Sequence, residues 1–459
     1  MTDLILTHGY FLGEDEKERE IMKPYAPLGL MYLSAYLKSR DFDVEIFDTT
    51  FADRDALVDC LRRHAGGILG IYTNLITRAS VIDIMKKAKD FGFFIILGGP
   101  ESANYPENYI NHGADVIVIG EGEQALAELI PVVQNRDPGQ LHSIPGIIFR
   151  DRDGNIVRTA PRVAPRDISS YPWPDREAID LNLYLNTWKK HHGAGSISMI
   201  TARGCPYRCT WCSHAVFGYT HRRRTPEDCA EELAHILDRY QPDQIWYADD
   251  VFTINHSWLY NYAGELRNRS IRIPFETISR ADRLMKPEVL DTLADMGCDR
   301  IWIGSESGSQ RILDAMQRDV TIEQVQWATQ QLKARGIKVG MFLMWGYGDE
   351  TVRDIELTVE HVKRADPDVF FTTVAYPIKG TPFYDEYAGM ITLPGEWASS
   401  TDRNYRLGTQ RDREYYQAAN TYIFNAVEAG KSAGHDEKHA RECLAKAETA
   451  HRLLLEYEQ

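Results

Sequence analysis

The chain is 459 residues long, which exceeds what one core normally organises and favours about two to three domains. Hydrophobic residues make up 43% and charged residues 26%, as in an ordinary soluble globular protein, and no apolar run approaches the roughly 18 residues of a membrane helix. The 52 basic and 67 acidic residues leave a formal charge of −15, which disfavours a broad nucleic-acid surface. The start MTDLILTHGYF has no basic region or cleavage site, and an odd set of seven cysteines argues for reduced thiols rather than a disulfide framework. Cytoplasmic residence is the expectation.

Residues 1–135 alternate short apolar runs with helical periodicity. Strands are predicted at 3–8, 44–47, 68–72, 93–97 and 116–119, with helices at 27–39, 54–64, 80–91 and from Gln124. This rhythm gives a doubly wound parallel sheet, which binds ligands beyond the strand C-termini. The strand ends carry His8-Gly9-Tyr10, Thr73-Asn74-Leu75, Gly98-Gly99-Pro100-Glu101 and Gly120-Glu121-Gly122-Glu123, where glycine admits close approach to the backbone. No GxGxxG follows the first strand, which disfavours a dinucleotide, and the first loop lacks the paired acids of a phosphate receiver. The residues alone specify a flavodoxin-like or Rossmann-like ligand-binding domain.

Residues 136–194 are punctuated by proline and contain a predicted hairpin, 146–149 against 156–158 across Asp153-Gly154-Asn155, as in a crossing linker. From Ser196 the strand-helix rhythm returns, with strands at 197–201, 244–247, 274–278, 300–303, 338–345 and 369–374. Six βα units predict a partial barrel, whose chemistry belongs at the strand C-termini. Arg222-Arg223-Arg224 is the only concentrated basic run and reads either as a solvated helix start or as a local contact with phosphate or carboxylate. The tail, 391–459, is polar and predicted helical; Tyr405, Tyr415, Tyr416, Tyr422 and Phe424 read as packing ahead of a substrate box.

After the first barrel strand comes the most specific signal in the chain, Cys205, Cys209 and Cys212 in a CxxxCxxC spacing. Three thiolates can hold three irons of a [4Fe–4S] cube and leave the fourth for a small molecule. A zinc site or buried structural cysteines are the alternatives; the remaining cysteines, Cys60, Cys229, Cys298 and Cys443, are scattered singly rather than paired as zinc prefers.

With Trp211 just before its last cysteine, the triplet resembles the radical S-adenosylmethionine (SAM) superfamily. The resemblance implies that Cys205, Cys209 and Cys212 ligate the cluster, that SAM chelates the open iron and is cleaved to a 5′-deoxyadenosyl radical, and that Trp211 lies near adenine. Asp249-Asp250 resembles the segment near the SAM amino group, although Asp250 also suits a helix cap. Ser279-Arg280 offers a fork for the methionyl carboxylate, Glu306 an acceptor for ribose hydroxyls, and Gly346 and Gly348 resemble the glycine-rich segment near adenine.

The layout Pro27-Leu28-Gly29-Leu30, Tyr32-Leu33, Gly98-Gly99-Pro100 and Gly120-Glu121-Gly122-Glu123 resembles the cobalamin-binding domain that precedes this barrel in one large subgroup. It implies corrinoid contacts at His8, Gly9, Tyr10, Thr73, Asn74, Leu75, Gly98, Gly99, Pro100, Glu101, Gly120, Glu121 and Gly122. No DxHxxG histidine is present, so His8 is expected as a hydrogen-bonding loop residue, and Tyr72 to Leu75 as neighbours of the corrin's lower face.

The implied architecture is α/β. A Rossmann-like doubly wound cobalamin-binding domain (1–135) and a linker (136–194) precede a partial (β/α)6 radical SAM barrel (195–390) and a helical C-terminal region (391–459). The implied cofactors are a [4Fe–4S] cluster, SAM and cobalamin, with flavodoxin or ferredoxin as electron donor and a small-molecule or lipid-like substrate. Methyl transfer to an unactivated carbon is the leading expectation. An oxidation or cyclisation of the anaerobic magnesium-protoporphyrin ester cyclase type is the alternative, and a non-catalytic cobalamin or iron–sulfur sensor is a third reading.

Overall fold

The computed structural model describes residues 2–458, which divide into two compact units. The first comprises the chain up to Pro206 together with Ser213–Trp246 and Leu393–Asn404; the second comprises Tyr207–Cys212, Tyr247–Thr392 and the chain from Tyr405 onward.

In the first unit, β1 (Leu4–His8), β2 (Val44–Phe47), β3 (Ile68–Tyr72), β4 (Phe94–Gly98), β5 (Val116–Val118), β6 (Ile147–Arg150) and β7 (Ile156–Arg158) form one sheet of order β2-β1-β3-β4-β5-β6-β7. β1 to β5 pair in parallel, while β6 and β7 are antiparallel. Alternating side chains serve two cores, as the period of a strand requires. Leu4, Leu6, Ile96, Val116 and Val118 face helices Leu28–Lys38 and Glu123–Gln134; Ile5, Ile95, Leu97 and Ile117 face helices Arg54–Arg63, Arg78–Asp90 and Pro106–Asn111. The hairpin expected in the linker extends this sheet instead of crossing open ground. Ile147, Ile148 and Phe149 carry the same alternation as β5, so they bury both faces while satisfying its outer edge. Strand order reverses direction between β1 and β3, which is where open α/β sheets leave a crevice.

The chain continues through β8 (Ser196–Met199), β9 (Ala202–Arg203), β10 (Arg222–Arg223) and β11 (Gln244–Tyr247). β9 and β10 pair antiparallel and bracket the stretch that holds the cysteines. In the second unit β12 (Phe275–Ser279), β13 (Cys298–Glu306), β14 (Lys338–Trp345) and β15 (Val369–Val374) lie side by side in parallel, separated in sequence by helices Pro287–Met296, Ile322–Lys333 and Val352–Ala365. All six strands expected of the partial barrel are present: β8 and β11 to β15.

The tail contains two long helices, Arg413–Ser432 and Glu437–Glu456, which pack on each other. Its aromatics are packing residues: Tyr415 and Tyr416 are buried, Phe424 stacks on Phe370 at 4.7 Å and Tyr422 on His451 at 4.8 Å. Leu393–Asn404, in the region expected to be helical, is largely irregular and belongs to the first unit. No helix among the described residues is long and apolar enough to cross a membrane.

Candidate active site

At the switch point of the first unit lies a cavity with a mostly apolar lining. Leu6, Gly70, Ile71 and Ile96 form its sheet wall, Leu30, Tyr32 and Leu33 its helical wall, and Tyr72, Gly98, Gly99, Gly120, Glu121 and Gly122 its rim. Glycine is required here for two different reasons. At Gly99, with φ +102°, a Cβ would stand 2.2 Å from the Thr73 carbonyl oxygen, so only glycine lets the two loops touch. At Gly29 and Gly98 a Cβ would meet nothing within 4 Å; the missing side chains there leave room for a ligand.

Of the residues implied in corrinoid contact, Gly98, Gly99, Gly120, Glu121 and Gly122 line this cavity, and the others stand behind or beside it. The His8 Nδ1 accepts from the Tyr10 N–H (3.2 Å) and its Nε2 donates to Asp48 (2.9 Å), so His8 is the hydrogen-bonding loop residue expected. Gly9 and Tyr10 border a separate polar depression with Glu14 and Arg54. Thr73 ties its loop to β4 through the Gly98 carbonyl, and Asn74 caps the turn by accepting from the Ile76 and Thr77 N–H groups; Leu75 and Pro100 belong to these same loops. Glu101 is buried and pairs with Arg78.

A charged lining residue escaped the sequence reading. Arg203, two positions before Cys205, is buried in the cavity wall and pairs with Glu121 (2.6 Å) and Glu123 (2.7 Å) of the glycine-rich loop. Arg222 pairs with Glu121 (2.5 Å), and Arg224 pairs with Asp228 (2.6 Å) and Glu232. Arg222 and Arg224 of the basic run therefore make carboxylate contacts rather than a solvated face.

In the second unit the cysteine loop Tyr207–Cys212 is held at several points. The Thr210 N–H donates to Met316 O (3.1 Å), the Phe383 N–H to Thr210 O (3.0 Å), and the Thr210 hydroxyl bonds that of Tyr347. Trp211 packs against a buried cluster that includes Met344, Tyr347, Ala375 and Phe383. Cys209 is buried, whereas Cys205 and Cys212 are part-exposed. Two guanidinium groups face the Cys209 sulfur: Arg318 Nη1 at 3.4 Å and Arg280 Nη1 at 3.9 Å. Both place positive charge beside this buried sulfur.

Arg280 does not present the open fork expected for a carboxylate. Its Nε donates to Asp282 (2.8 Å), its Nη2 to Arg318 O (2.6 Å), and its face covers the Tyr207 ring at 3.6 Å. The fork is consumed because the loop after β12 turns back over the cysteine loop. Ser279 is buried and bonds Thr253 (2.5 Å); Asp249 is buried while Asp250 is exposed.

Glu306 ends β13 with φ +60°, a conformation costly for a side chain and characteristic of functional sites. It is buried with Arg318 Nη2 at 3.6 Å, and burial raises its carboxyl above the usual range. Gly304 makes this possible, since a Cβ there would collide with both Arg318 and Glu306. Arg318 was not legible in sequence, because nothing near it in the chain relates it to the cysteines.

Gly346 (φ +70°) is covered by Tyr416, whose hydroxyl would lie 2.4 Å from an added Cβ, and Gly348 (φ +61°) faces Tyr387. The Gly346 N–H donates to Glu350 (2.7 Å), and the other Glu350 oxygen is buried with no hydrogen-bond partner. Burial pushes this carboxyl up to about 8. The folded chain therefore binds a proton that the unfolded chain releases above the ordinary carboxylate range, and stability falls as pH rises toward 8, then levels. Glu350→Gln, which keeps the acceptor, is expected to remove this slope and to gain on the order of 2–4 kcal/mol at pH 8.5 relative to pH 5. Thermal melts of both proteins across that range would measure it, and parallel pH profiles would refute it.

Comparison with known proteins accords with this geometry. Residues 199–362 match the model of the radical SAM superfamily, and residues 20–130 match that of the B12-binding domain. The chain is a radical SAM enzyme with a B12-binding domain. It is 28% identical over 387 residues to an uncharacterized methyltransferase of Pyrococcus horikoshii, covering 82% of this chain and 81% of that one. It is 25% identical over 364 residues to the anaerobic magnesium-protoporphyrin IX monomethyl ester cyclase of Rubrivivax gelatinosus, covering 76% of this chain and 64% of the cyclase. Among solved structures, the cobalamin-dependent SAM radical enzyme OxsB with aqua-cobalamin bound aligns with a TM-score of 0.76 at 18% identity, over 98% of this chain and 72% of that one. The fold is thus that of the cobalamin-dependent radical SAM enzymes, whose solved structures hold cobalamin, a [4Fe–4S] cluster or SAM.

The residues of this radical SAM enzyme fit those groups. Gly29 and Gly98 open an apolar cavity at the one place where the sheet has a crevice, and Cys209 meets two cations in a loop braced by Tyr347 and Phe383. Trp211 Nε1 is a buried donor with no partner, and Glu306 is a buried acceptor. Both are polar atoms of the kind that a bound nucleoside satisfies.

Proposed function

We propose that the chain methylates an unactivated carbon of a small-molecule or lipid-like substrate. When bound, the cluster and SAM supply a hydrogen-abstracting 5′-deoxyadenosyl radical, and cobalamin supplies the methyl group. The residues of the chain bind, orient and exclude water. Cys205, Cys209 and Cys212 would ligate the cluster, with Arg318 and Arg280 compensating thiolate charge at Cys209. Glu306 would accept from the ribose of SAM, Trp211 and the Gly346–Gly348 segment would border adenine, and Asp249 would serve the amino group. The glycine rim at Gly98, Gly99, Gly120 and Gly122 would seat the corrinoid, and the apolar cavity would exclude water around it. No protein side chain needs to carry the methyl group.

The observation that carries this reading is the pairing, in one chain, of the cysteine triplet with a glycine-rimmed switch-point cavity. The methyltransferase named among its relatives supports methyl transfer over cyclisation, since this chain covers 81% of that protein and 64% of the cyclase. A one-electron donor such as flavodoxin or ferredoxin and cytoplasmic residence complete the reading.

Anaerobic reconstitution with reductant, cobalamin and SAM is expected to yield both 5′-deoxyadenosine and S-adenosylhomocysteine by mass spectrometry. 5′-Deoxyadenosine alone would move the assignment to oxidation or cyclisation. Neither product, in protein with a full cluster and bound cobalamin, would support the sensor reading.

A further inference from the structure

A buried network in the first unit takes no part in the steps above. Arg78, the first residue of helix Arg78–Asp90, is fully buried and spends its guanidinium on four acceptors. Its Nε donates to Glu101, its Nη2 to Asp402 (2.6 Å), and its Nη1 to the carbonyls of Ser400 (3.0 Å) and Trp397 (3.4 Å). The Tyr105 hydroxyl donates to the same Asp402 oxygen (2.7 Å), and the Trp397 ring packs 4.9 Å from Tyr109. Asp402, Ser400 and Trp397 belong to Leu393–Asn404, a strap that the chain supplies only after its last barrel strand.

The network adjoins the rim of the cavity. Arg78 closes the loop that begins at Thr73, and Glu101 follows Gly98-Gly99-Pro100. The two loops are joined where the Thr73 N–H and hydroxyl both donate to Gly98 O, at 2.7 and 2.9 Å. Buried charges of this kind are stable only as a complete set, because removing one partner leaves another uncompensated. Loss of Asp402 would leave the Arg78–Glu101 pair in place but remove the strap's carboxylate from Arg78 Nη2 and from the Tyr105 hydroxyl, and with it the side-chain hold of the strap on the loops that Arg78 and Glu101 end.

We propose that Arg78 is a positioning residue for cobalamin, and that the strap, through Asp402, holds the two rim loops in the shape that admits the corrinoid. The inference rests on reading the cavity as the corrinoid site. Linkage makes the effect reciprocal: if the strap favours cobalamin, cobalamin steadies the strap.

The test uses full-length, cobalamin-free protein titrated with hydroxocobalamin, with bound ligand followed by absorbance after gel filtration. Asp402→Ala is expected to weaken binding at least about tenfold, with Asp402→Glu recovering most of the loss. In the unaltered chain, hydroxocobalamin is expected to slow cleavage at the exposed Glu396 and Arg403 at least about fivefold. Unchanged affinity in Asp402→Ala would overturn the proposal, as would cleavage indifferent to hydroxocobalamin, which decides the matter even if the variant fails to fold. Gly98→Leu separates the two ideas. If it binds hydroxocobalamin normally, the cavity is not the site; if it alone loses binding, the cavity stands and the strap has no positioning role.

Discussion

Gly98→Leu is expected to abolish cobalamin retention while leaving the chain folded. An added Cβ at this position meets no protein atom within 4 Å, and the residue has none of the left-handed backbone geometry found at Gly99, so a side chain is accommodated without strain. It is accommodated, however, in the space that the ligand needs. Four carbon atoms on the cavity rim would force the corrinoid or the loops apart, at a cost of about 3 kcal/mol or more and hence at least about a hundredfold in affinity. Absorbance of the purified protein after hydroxocobalamin loading reads the loss, and circular dichroism reads the fold. Gly99→Leu is the contrasting variant: its Cβ would strike Thr73, so it is expected to damage the loop itself and lower the melting temperature. Retention of cobalamin by Gly98→Leu would mean that the group is seated elsewhere.

Arg318→Met should make the cluster harder to reduce. Arg318 is buried, lies 3.4 Å from the Cys209 sulfur and carries a full charge beside the position proposed for the cluster. Adding an electron next to a fixed cation is favourable. At an effective dielectric constant near 20 and about 6 Å separation, that is roughly 3 kcal/mol, or on the order of 100 mV for one electron. Methionine preserves bulk and removes the charge and the N–H donor, so the midpoint potential should fall by that order, and Arg318→Lys should restore part of it. An electron paramagnetic resonance titration on protein of verified iron content measures the shift. An unchanged potential with a full cluster would show that Arg318 only braces Gly304 and Glu306. The same substitution leaves Glu306 buried without its cation, so SAM affinity is expected to drop in parallel.

Both predictions join residues that the sequence presents very differently. The two-domain order, strand rhythm and cysteine triplet were legible because each is local. Alternating apolar residues in strands, 3.6-residue periodicity in helices and a three-cysteine spacing need no knowledge of distant partners. The glycine loops were legible for the same reason, although only some of them line the cavity. His8, Gly9, Tyr10 and Thr73 to Leu75 share the strand-end position of Gly98 and Gly120, yet their side chains go to capping, loop bracing and a neighbouring depression.

By itself, the sequence determined the fold class, the order of the two domains and the candidate cluster ligands, all through patterns within short windows. Tertiary structure alone decided the rest: that the hairpin at β6 and β7 completes the first sheet, that Arg280 turns from a carboxylate fork into a brace for the cysteine loop, that Arg318 reaches Cys209 across 109 positions, and that Asp402 reaches Arg78 across 324. The physical reason is common to all four. A buried charge or an open sheet edge must find a partner, and which partner is available depends on packing between segments far apart in the chain.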